Sequence, residues 1–166
     1  SHHRARARAA DIISCGRGTK VTNPKYKGEG EGPEYETAWG FGPDCGIDDL
    51  DAVIKANYWC NELGLDTISM GGTVACAVEM FSKGIITLKD TEGLDLSPGN
   101  AEAMVEAVRL TGIGEGFGKK LALGSWRLAS MYGHPELSMT AKKQEMPAYE
   151  PRAVQGIGLN YATNNR

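Results

Sequence analysis

The stretch DDLDAVIKANYWCNELGLDTISMGGTVACAVEMFSK, residues 48–83, has the apolar spacing of two consecutive helices. Asp48 followed three residues later by Asp51 resembles a capping box, so we expect the first helix to run from about residue 48 to 63. Gly64 suits the left-handed cap that ends such a helix, and a second helix is expected over about 66–83. The two helices are therefore predicted to be joined by one tight turn.

The apolar residues of the first predicted helix form two stripes, which indicates a helix buried around much of its circumference. In the second helix, Gly71 and Gly72 stand where large side chains are common. Their small size lets another backbone or a ligand approach closely. We favour close helix packing as the interpretation, and the approach of a ligand stays open.

The rest of the chain predicts a mostly α, multihelical domain with a loop-rich N-terminal stretch and short extended segments. Residues 15–46 are rich in Gly, Pro, Lys and Glu and are expected to be loop with short strands. The glycine-rich GIGEGFGKK, residues 112–120, reads as a helix connector because it lacks the spacing of a phosphate-binding loop. The other expected elements are an extended piece with a turn at 85–93, a helix capped by Ser97 or Asn100, a helix over 117–132 and a last helix over 151–164.

The composition of the chain limits the functional and structural classes to which the protein can belong. The 166 residues, 41% of them hydrophobic, suit one globular domain. The net charge is −3 and the basic residues are scattered, which argues against nucleic-acid binding. We find neither a signal peptide nor an apolar run of the roughly 20 residues that a membrane span needs, so a cytoplasmic location is the expectation.

The four cysteines include no Cys-x-x-Cys pair that would indicate a zinc site. Cys60 and Cys76 fall within predicted helices and are expected to be buried thiols. Cys15, in the polar stretch ISCGRGTK, could present a thiolate. The start SHHRARARAAD is tag-like, so residues 1–14 are separated from the expected helical segment, residues 15–166. Both ends of the chain are expected to lie within a longer protein.

Two carboxylates offer acid–base chemistry. Glu34 and Glu36 are two residues apart, which on an extended chain places both side chains on one face. Crowding of two carboxylates raises a pKa and is one way to make a general acid or base. Two solvated acids in a glycine loop are the alternative. His134, followed by a proline, is interpreted as a solvated turn residue.

Four blocks of the chain are similar to consecutive blocks of one enzyme family: GEGEGPEYET (28–37), FGPDCGIDDLDAVIKAN (41–57), NELGLDTIS (61–69) and KKQEMPAYEPRAVQGIGLNYAT (142–163). In this order and spacing they resemble the tungsten-containing aldehyde ferredoxin oxidoreductases, over about residues 15–166. The resemblance implies a mostly helical part of a larger enzyme that oxidises aldehydes to carboxylic acids. It also implies a tungsten bis-pyranopterin cofactor, a [4Fe-4S] cluster, ferredoxin or another electron-carrier subunit as partner, and a homo- or hetero-oligomer.

The resemblance also assigns residues. The family's Asp-x-x-Gly-Leu-Asp motif, which contacts the pterin, falls on Asn61, Gly64, Leu65 and Asp66, with Asn61 in place of the first aspartate. The PEYET block places Glu36 at the position of the active-site glutamate. That glutamate works with a histidine that would fall just beyond the end of the chain.

The resemblance places Cys15 at the third cysteine of the cluster motif. Asp11 and Arg8 stand where the first two cysteines would be. Asp11 offers a hard oxygen ligand for iron, and Arg8 offers none. Lys55 and Tyr58 occupy the positions of a dimer-bridging Glu-x-x-His iron site, which they cannot form.

Two other functions remain open at this stage. A relative in the same family could reduce an aromatic acyl thioester at the same cofactor. Alternatively, the chain could be a cofactor-free helical module with a structural or interaction role, since two cluster cysteines and half of the site are missing from it.

Overall fold

The computed structural model describes residues 2–5 and 17–164, which form seven α-helices and five short strands. The prediction of a mostly α, multihelical domain is confirmed. No helix in this described part of the chain has both the length and the apolarity to cross a bilayer. The helices are α1 (Tyr35–Phe41), α2 (Leu50–Leu63), α3 (Thr67–Ser82), α4 (Ala101–Ile113), α5 (Gly118–Leu121), α6 (Ser125–Met131) and α7 (Gln155–Thr163). The strands are β1 (His2–Ala5), β2 (Arg17–Val21), β3 (Gly28–Glu31), β4 (Thr140–Ala141) and β5 (Gln144–Glu145).

Helices α2 and α3 form the centre of the molecule, close to the predicted boundaries. Asp49 caps α2, because its side chain accepts hydrogen bonds from the backbone N–H groups of Asp51 and Ala52 at 3.0 and 3.2 Å. The predicted cap at Asp48 was therefore one residue early. Gly64, at φ 70°, ends α2 in the left-handed conformation that was expected.

The glycines of α3 face two different neighbours. A Cβ on Gly71 would lie 3.1 Å from Cα of Gly40 in α1, so the two helices meet backbone to backbone there. A Cβ on Gly72 would lie 3.2 Å from Cγ of Glu145 in β5. Close packing, the interpretation favoured from the sequence, is confirmed for Gly71. Gly72 packs against Glu145 and also lines a groove described below.

The core is built where α2, α3, α4 and α6 pack together. The packing between α4 and α5 is especially close, since a Cβ on Gly118 would lie 2.2 Å from the backbone carbonyl carbon of Leu110. The largest side chains that are fully buried include Phe41, Ile54, Val74, Met80, Met104, Phe117 and Leu128.

The antiparallel sheet β1-β2-β3 packs on α2 through one tyrosine. The ring of Tyr58 lies beneath β3, where a Cβ on Gly28 would come within 2.8 Å of it. The Tyr58 hydroxyl donates to the carbonyl of Thr19 at 2.8 Å and lies 2.7 Å from its hydroxyl. The glycines of β3 therefore let the sheet sit directly on the helix.

The prediction of loop over residues 15–46 was partly wrong. Strands β2 and β3 were expected in outline, but α1 was not. Its seven residues carry little helical periodicity. It is held instead by the contact of Gly40 with α3 and by a 2.7 Å hydrogen bond from the Thr37 hydroxyl to that of Thr67.

Three boundaries in the second half also differ from prediction. Residues 85–93 form bends and turns rather than an extended piece. Asn100 caps α4 by accepting from Ala103 N–H at 3.2 Å, whereas Ser97 bonds to Asp95. The helix predicted over 117–132 is divided into α5 and α6, because Gly124 adopts φ 84° between them.

The last third of the chain forms a hairpin and a final helix. Strands β4 and β5 pair across Lys142 and Lys143, whose φ angles of 53° and 71° fit a tight turn with two left-handed residues. Helix α7 begins at Gln155 and not at Pro151, since the residues after that proline form a turn. The hairpin lies against α3 and leads into the candidate site.

Candidate functional site

Glu36 has two carboxylate oxygens in different environments. Its Oε2 accepts a hydrogen bond of 2.7 Å from the backbone N–H of Ala148. Its Oε1 is buried and has no hydrogen-bond partner among the described residues. A buried polar atom without a partner costs about 1–3 kcal/mol, so such atoms are rare unless they serve a function.

The predicted pairing of Glu34 with Glu36 was wrong in its geometry. Glu36 lies in the first turn of α1, and Glu34 is the exposed residue that precedes the helix. Residues two apart on a helix do not face each other. Glu34 therefore does not lie beside Glu36 in the folded chain.

A groove of about 250 Å³ opens in front of Glu36. Asp44 also lines this groove, and burial, with Glu79 nearby, raises the pKa of its carboxyl above the ordinary value. Neither Asp44 nor Ala148 was identified from the sequence as part of a site. The apolar side chains that line the groove are Trp39, Ile68, Met139, Met146 and Tyr149.

Asp66 lines a second groove, of about 510 Å³, that adjoins the first. Both grooves are lined by Ile68 and Pro147, so the predicted residues Glu36 and Asp66 serve neighbouring spaces. Asp66 caps α3, since its Oδ2 accepts from Ser69 N–H at 2.8 Å. Polar atoms make up a larger share of the lining of the second groove than of the first.

Tyr161 of α7 lies close enough to Glu36 for the two side chains to interact electrostatically. It lines the Asp66 groove, and partial burial together with the Glu36 carboxylate raises its pKa above the ordinary value for tyrosine. The sequence block containing Tyr161 and Ala148 was noted as similar to the family, but it pointed to no role for either residue. Their proximity to Glu36 arises only in the folded chain.

The other residues of the predicted pterin motif lie apart from Asp66. Asn61 is exposed and lines a separate groove beside β3, together with Lys55 and Glu62. Gly64 is the cap of α2, and Leu65 packs against the core. The structure thus places Glu36 and Asp66 on adjoining grooves and Asn61 on a separate one.

The predicted cluster residues Cys15, Asp11 and Arg8 lie outside the described residues. Cys45, Cys60 and Cys76 are buried, and burial raises the pKa of each thiol to about 12, so they are neutral thiols at ordinary pH. Over residues 2–5 and 17–164, no group of three His, Cys, Asp or Glu side chains is arranged to hold a metal ion.

Hydrogen bonds to other residues of the fold account for three further side chains: Lys55, Tyr58 and His134. Lys55 Nζ donates to the carbonyl of Lys27 at 3.2 Å, and Tyr58 is bonded to Thr19 as described above. His134 is partly exposed in a turn and lies 2.9 Å from Glu136. The interpretation of His134 as a solvated turn residue is confirmed.

The residues of the two grooves fit a pterin of the kind that the resemblance implies. The Asp66 carboxylate accepts hydrogen bonds from ring and amino N–H groups, and the amides of Gln144 and Asn160 in the same groove can both donate and accept. Next to them, Glu36 keeps one buried oxygen without a partner. The set therefore offers polar contacts for a heterocycle and a free carboxylate oxygen beside it.

Comparison with known proteins points to one family. The family model for domains 2 and 3 of aldehyde ferredoxin oxidoreductase matches residues 5–166. The tungsten-containing aldehyde ferredoxin oxidoreductases of Pyrococcus furiosus and Thermococcus kodakarensis are 55% and 50% identical to this chain, over 93% of it. An aliphatic sulfonate oxidoreductase, WOR-like subunit, of Pyrococcus furiosus is 32% identical over 70% of the chain.

The chain spans about a quarter of the length of these aldehyde oxidoreductases, 25% of each. The match to the family model nevertheless covers almost all of the 166 residues. The two lines of comparison agree on the family. The chain belongs to the aldehyde ferredoxin oxidoreductase family.

Proposed function

We propose that residues 15–166 are the helical part of a tungsten-dependent enzyme that oxidises aldehydes to carboxylic acids. Electrons would pass through a [4Fe-4S] cluster to ferredoxin or another electron-carrier subunit. The observation that carries this proposal is the buried, unpartnered Oε1 of Glu36, in a groove next to that of Asp66. The names of the relatives support the choice of metal and of substrate class.

Glu36 is the proposed general base. The Ala148 N–H occupies Oε2, and Oε1, which is buried and has no partner among the described residues, is the oxygen left to accept a proton. Oxidation of an aldehyde adds the oxygen of water to the carbonyl carbon and releases two electrons and two protons. Oε1 takes a proton from the water as the new C–O bond forms, which is general base catalysis. The C–H bond of the aldehyde breaks, its electron pair goes to the two-electron acceptor, and its proton is released to solvent. When bound, a tungsten–pterin centre supplies the acceptor for the two electrons.

The groove in front of Glu36 orients the aldehyde. Trp39, Met139 and Tyr149 provide apolar walls for the hydrocarbon part of the substrate. The aldehyde carbon is thereby held close to the carboxylate.

Asp66 is the proposed pterin contact. Its Oδ2 accepts from Ser69 N–H, which leaves Oδ1 to accept from a pterin N–H. Gly64 and Leu65 shape the preceding turn, and Asn61 is a further proposed contact. Cys15, with Asp11, is proposed for the cluster on the resemblance alone.

The full-length protein provides the test. Tungsten and iron are measured in the purified protein, and aldehyde-dependent reduction of a low-potential dye is followed. We expect both metals and a rate that depends on the aldehyde. A folded full-length protein with neither metal would contradict the proposal and would favour a structural or interaction module instead. A metal-loaded protein that reduces an aromatic acyl thioester but oxidises no aldehyde would point to the other branch of the family.

A further inference from the structure

Glu145 is held by donors from two helices. Its Oε1 accepts from Ser125 N–H at 2.7 Å, from the Ser125 hydroxyl at 2.8 Å and from the Thr73 hydroxyl at 3.3 Å. The side chain lies over Gly72 and Gly124, where a Cβ would come within 3.2 Å of it in each case. The carboxylate of this hairpin residue is therefore fixed against α3 and the start of α6.

Only Met146 and Pro147 separate Glu145 from Ala148, and this short segment is conformationally restricted. Met146 N–H donates to the carbonyl of Met139 at 3.1 Å, which continues the hairpin pairing. The next residue, Pro147, has a fixed φ. Ala148 comes directly after it, and its N–H is the donor to Glu36 Oε2. A displacement of the hairpin at its carboxylate anchor would therefore be transmitted to that donor.

We propose that Glu145 is a positioning residue for Glu36, since it anchors the segment whose Ala148 N–H occupies one oxygen of the catalytic carboxylate and leaves the other for the proton. The inference rests on the proposed function of Glu36. Glu145 also lines the groove of Asp66, so the tungsten content of each variant is measured alongside its rate. The proposed effect of Glu145 on Glu36 runs through Ala148.

The loss of this anchor has a specific consequence for the pH dependence of the rate. A hydrogen bond from a backbone N–H stabilises the charged form of a carboxylate, so the loss of such a donor should be visible in the dependence of kcat on pH. The acid limb of the profile of kcat against pH then moves to higher pH, which a general loss of stability would not cause.

Other titratable groups face Glu36 and are kept unchanged in the test. Tyr161 of α7 is within electrostatic reach, and Asp44, Tyr149 and Glu150 line the same groove. None of the variants alters these residues. Glu145→Ala and Glu145→Gln remove the same negative charge, so the difference between these two variants reports the Ala148 contact.

The experiment compares Glu145→Ala, Glu145→Gln and Glu136→Gln in the full-length, metal-loaded enzyme. Glu136 is an exposed carboxylate with a hydrogen-bond partner of its own, and serves as the matched control. We expect Glu145→Ala to lower kcat about 10- to 100-fold, as small misplacements of catalytic groups do, and to move the acid limb to higher pH. Glu145→Gln, which keeps an acceptor oxygen, should restore most of both properties, and Glu136→Gln should change neither.

Hydrogen–deuterium exchange gives a readout that does not depend on turnover. The amides of residues 146–150 should exchange faster in Glu145→Ala than in the control. Faster exchange with an unchanged pH profile would show a structural role only and would overturn the inference. An unchanged profile and unchanged exchange would overturn it as well.

Two further results separate this inference from the proposed function. If Glu36→Gln is fully active, the proposed function of Glu36 fails; if Glu36→Gln is inactive and Glu145→Ala has a normal profile, only the inference fails. Should Glu145→Ala not fold, Ser125→Ala removes one donor and carries the test. It should move the acid limb in the same direction by a smaller amount, and the absence of any shift would overturn the inference.

Discussion

Glu36 and Asp66 are both acidic residues at the beginning of a helix, but the fold uses them differently. Asp66 is exposed, and one of its oxygens caps α3 through Ser69 N–H. Glu36 is half-buried, caps nothing, and accepts its hydrogen bond from a residue 112 positions away. The fold accounts for Asp66 even without a ligand, whereas it leaves one oxygen of Glu36 buried and unpartnered within the described structure.

The difference separates a carboxylate that stabilises the protein from one that costs stability. A helix cap contributes about 0.5–2 kcal/mol, so Asp66 would be favoured at its position for structural reasons alone. A buried carboxylate oxygen without a partner is unfavourable by a similar amount. Position at a helix start is therefore a weak indication of function, and an unpaired buried oxygen is a stronger one.

The largest effect is expected for Glu36→Gln. The amide keeps the size of the side chain but cannot take a proton, so kcat for aldehyde oxidation should fall about 100- to 10,000-fold. Tungsten and iron contents should stay at the wild-type level. Glu34→Gln, at the exposed residue before α1, is the control and should keep the wild-type rate. Comparable rates in the two variants would remove Glu36 from the mechanism.

The next effect is expected for Gly71→Val, which separates α1 from α3. The new side chain would collide with the backbone of Gly40, so the free energy of unfolding should fall by about 1–3 kcal/mol. Turnover should fall as well, because Glu36 moves with α1. Thermal unfolding followed by circular dichroism measures the first effect. The matched control is Gly156→Val, at an exposed helical glycine with no atom within 4 Å of its Cβ position. Equal stability of the two variants would contradict the backbone contact.

A smaller effect is expected at Asp66. Asp66→Ala removes the cap of α3 and should lower the free energy of unfolding by about 1 kcal/mol, whereas Asp66→Asn keeps a capping oxygen and should be close to wild type. If the charge also binds the pterin, Asp66→Asn should be stable yet contain less tungsten. Full tungsten content in a stable Asp66→Asn protein would reduce Asp66 to its structural role.

The smallest effect is expected at Asn61. Because the side chain is exposed, Asn61→Ala should change the free energy of unfolding by less than about 0.5 kcal/mol. Its tungsten content should fall less than that of Asp66→Asn, since Asn61 lines a separate groove. Glu62→Ala, next to it in that groove, is the control. A larger loss of tungsten in Asn61→Ala than in Asp66→Asn would show that the two grooves serve one ligand in the whole enzyme.

The sequence predicted α2 and α3 well because their signals are local. The cap at Gly64 and the apolar spacing lie within the helices themselves, and the boundaries differ from those expected by only one or two residues. Helix α1 was missed because its stability comes from the contact of Gly40 with Gly71 on another helix. No window of sequence around α1 contains that information.

The candidate site was predictable only in part, for the same reason. The resemblance pointed to Glu36 and Asp66, but not to the Ala148 N–H that occupies one oxygen of Glu36. The helical conformation of Glu36 also removed the pairing with Glu34 that an extended chain would have allowed. Contacts between distant segments decide which oxygen is available, and spacing along the chain cannot report them.

The contact between Gly40 and Gly71 has a consequence for engineering substrate range. It holds α1, and with it Glu36, against α3 through backbone atoms, in addition to the hydrogen bond between Thr37 and Thr67. Trp39, Met139 and Tyr149, which line the groove, are exposed and lie outside the core. A library that varies these three residues could therefore reshape the groove for larger or smaller aldehydes while the carboxylate keeps its place.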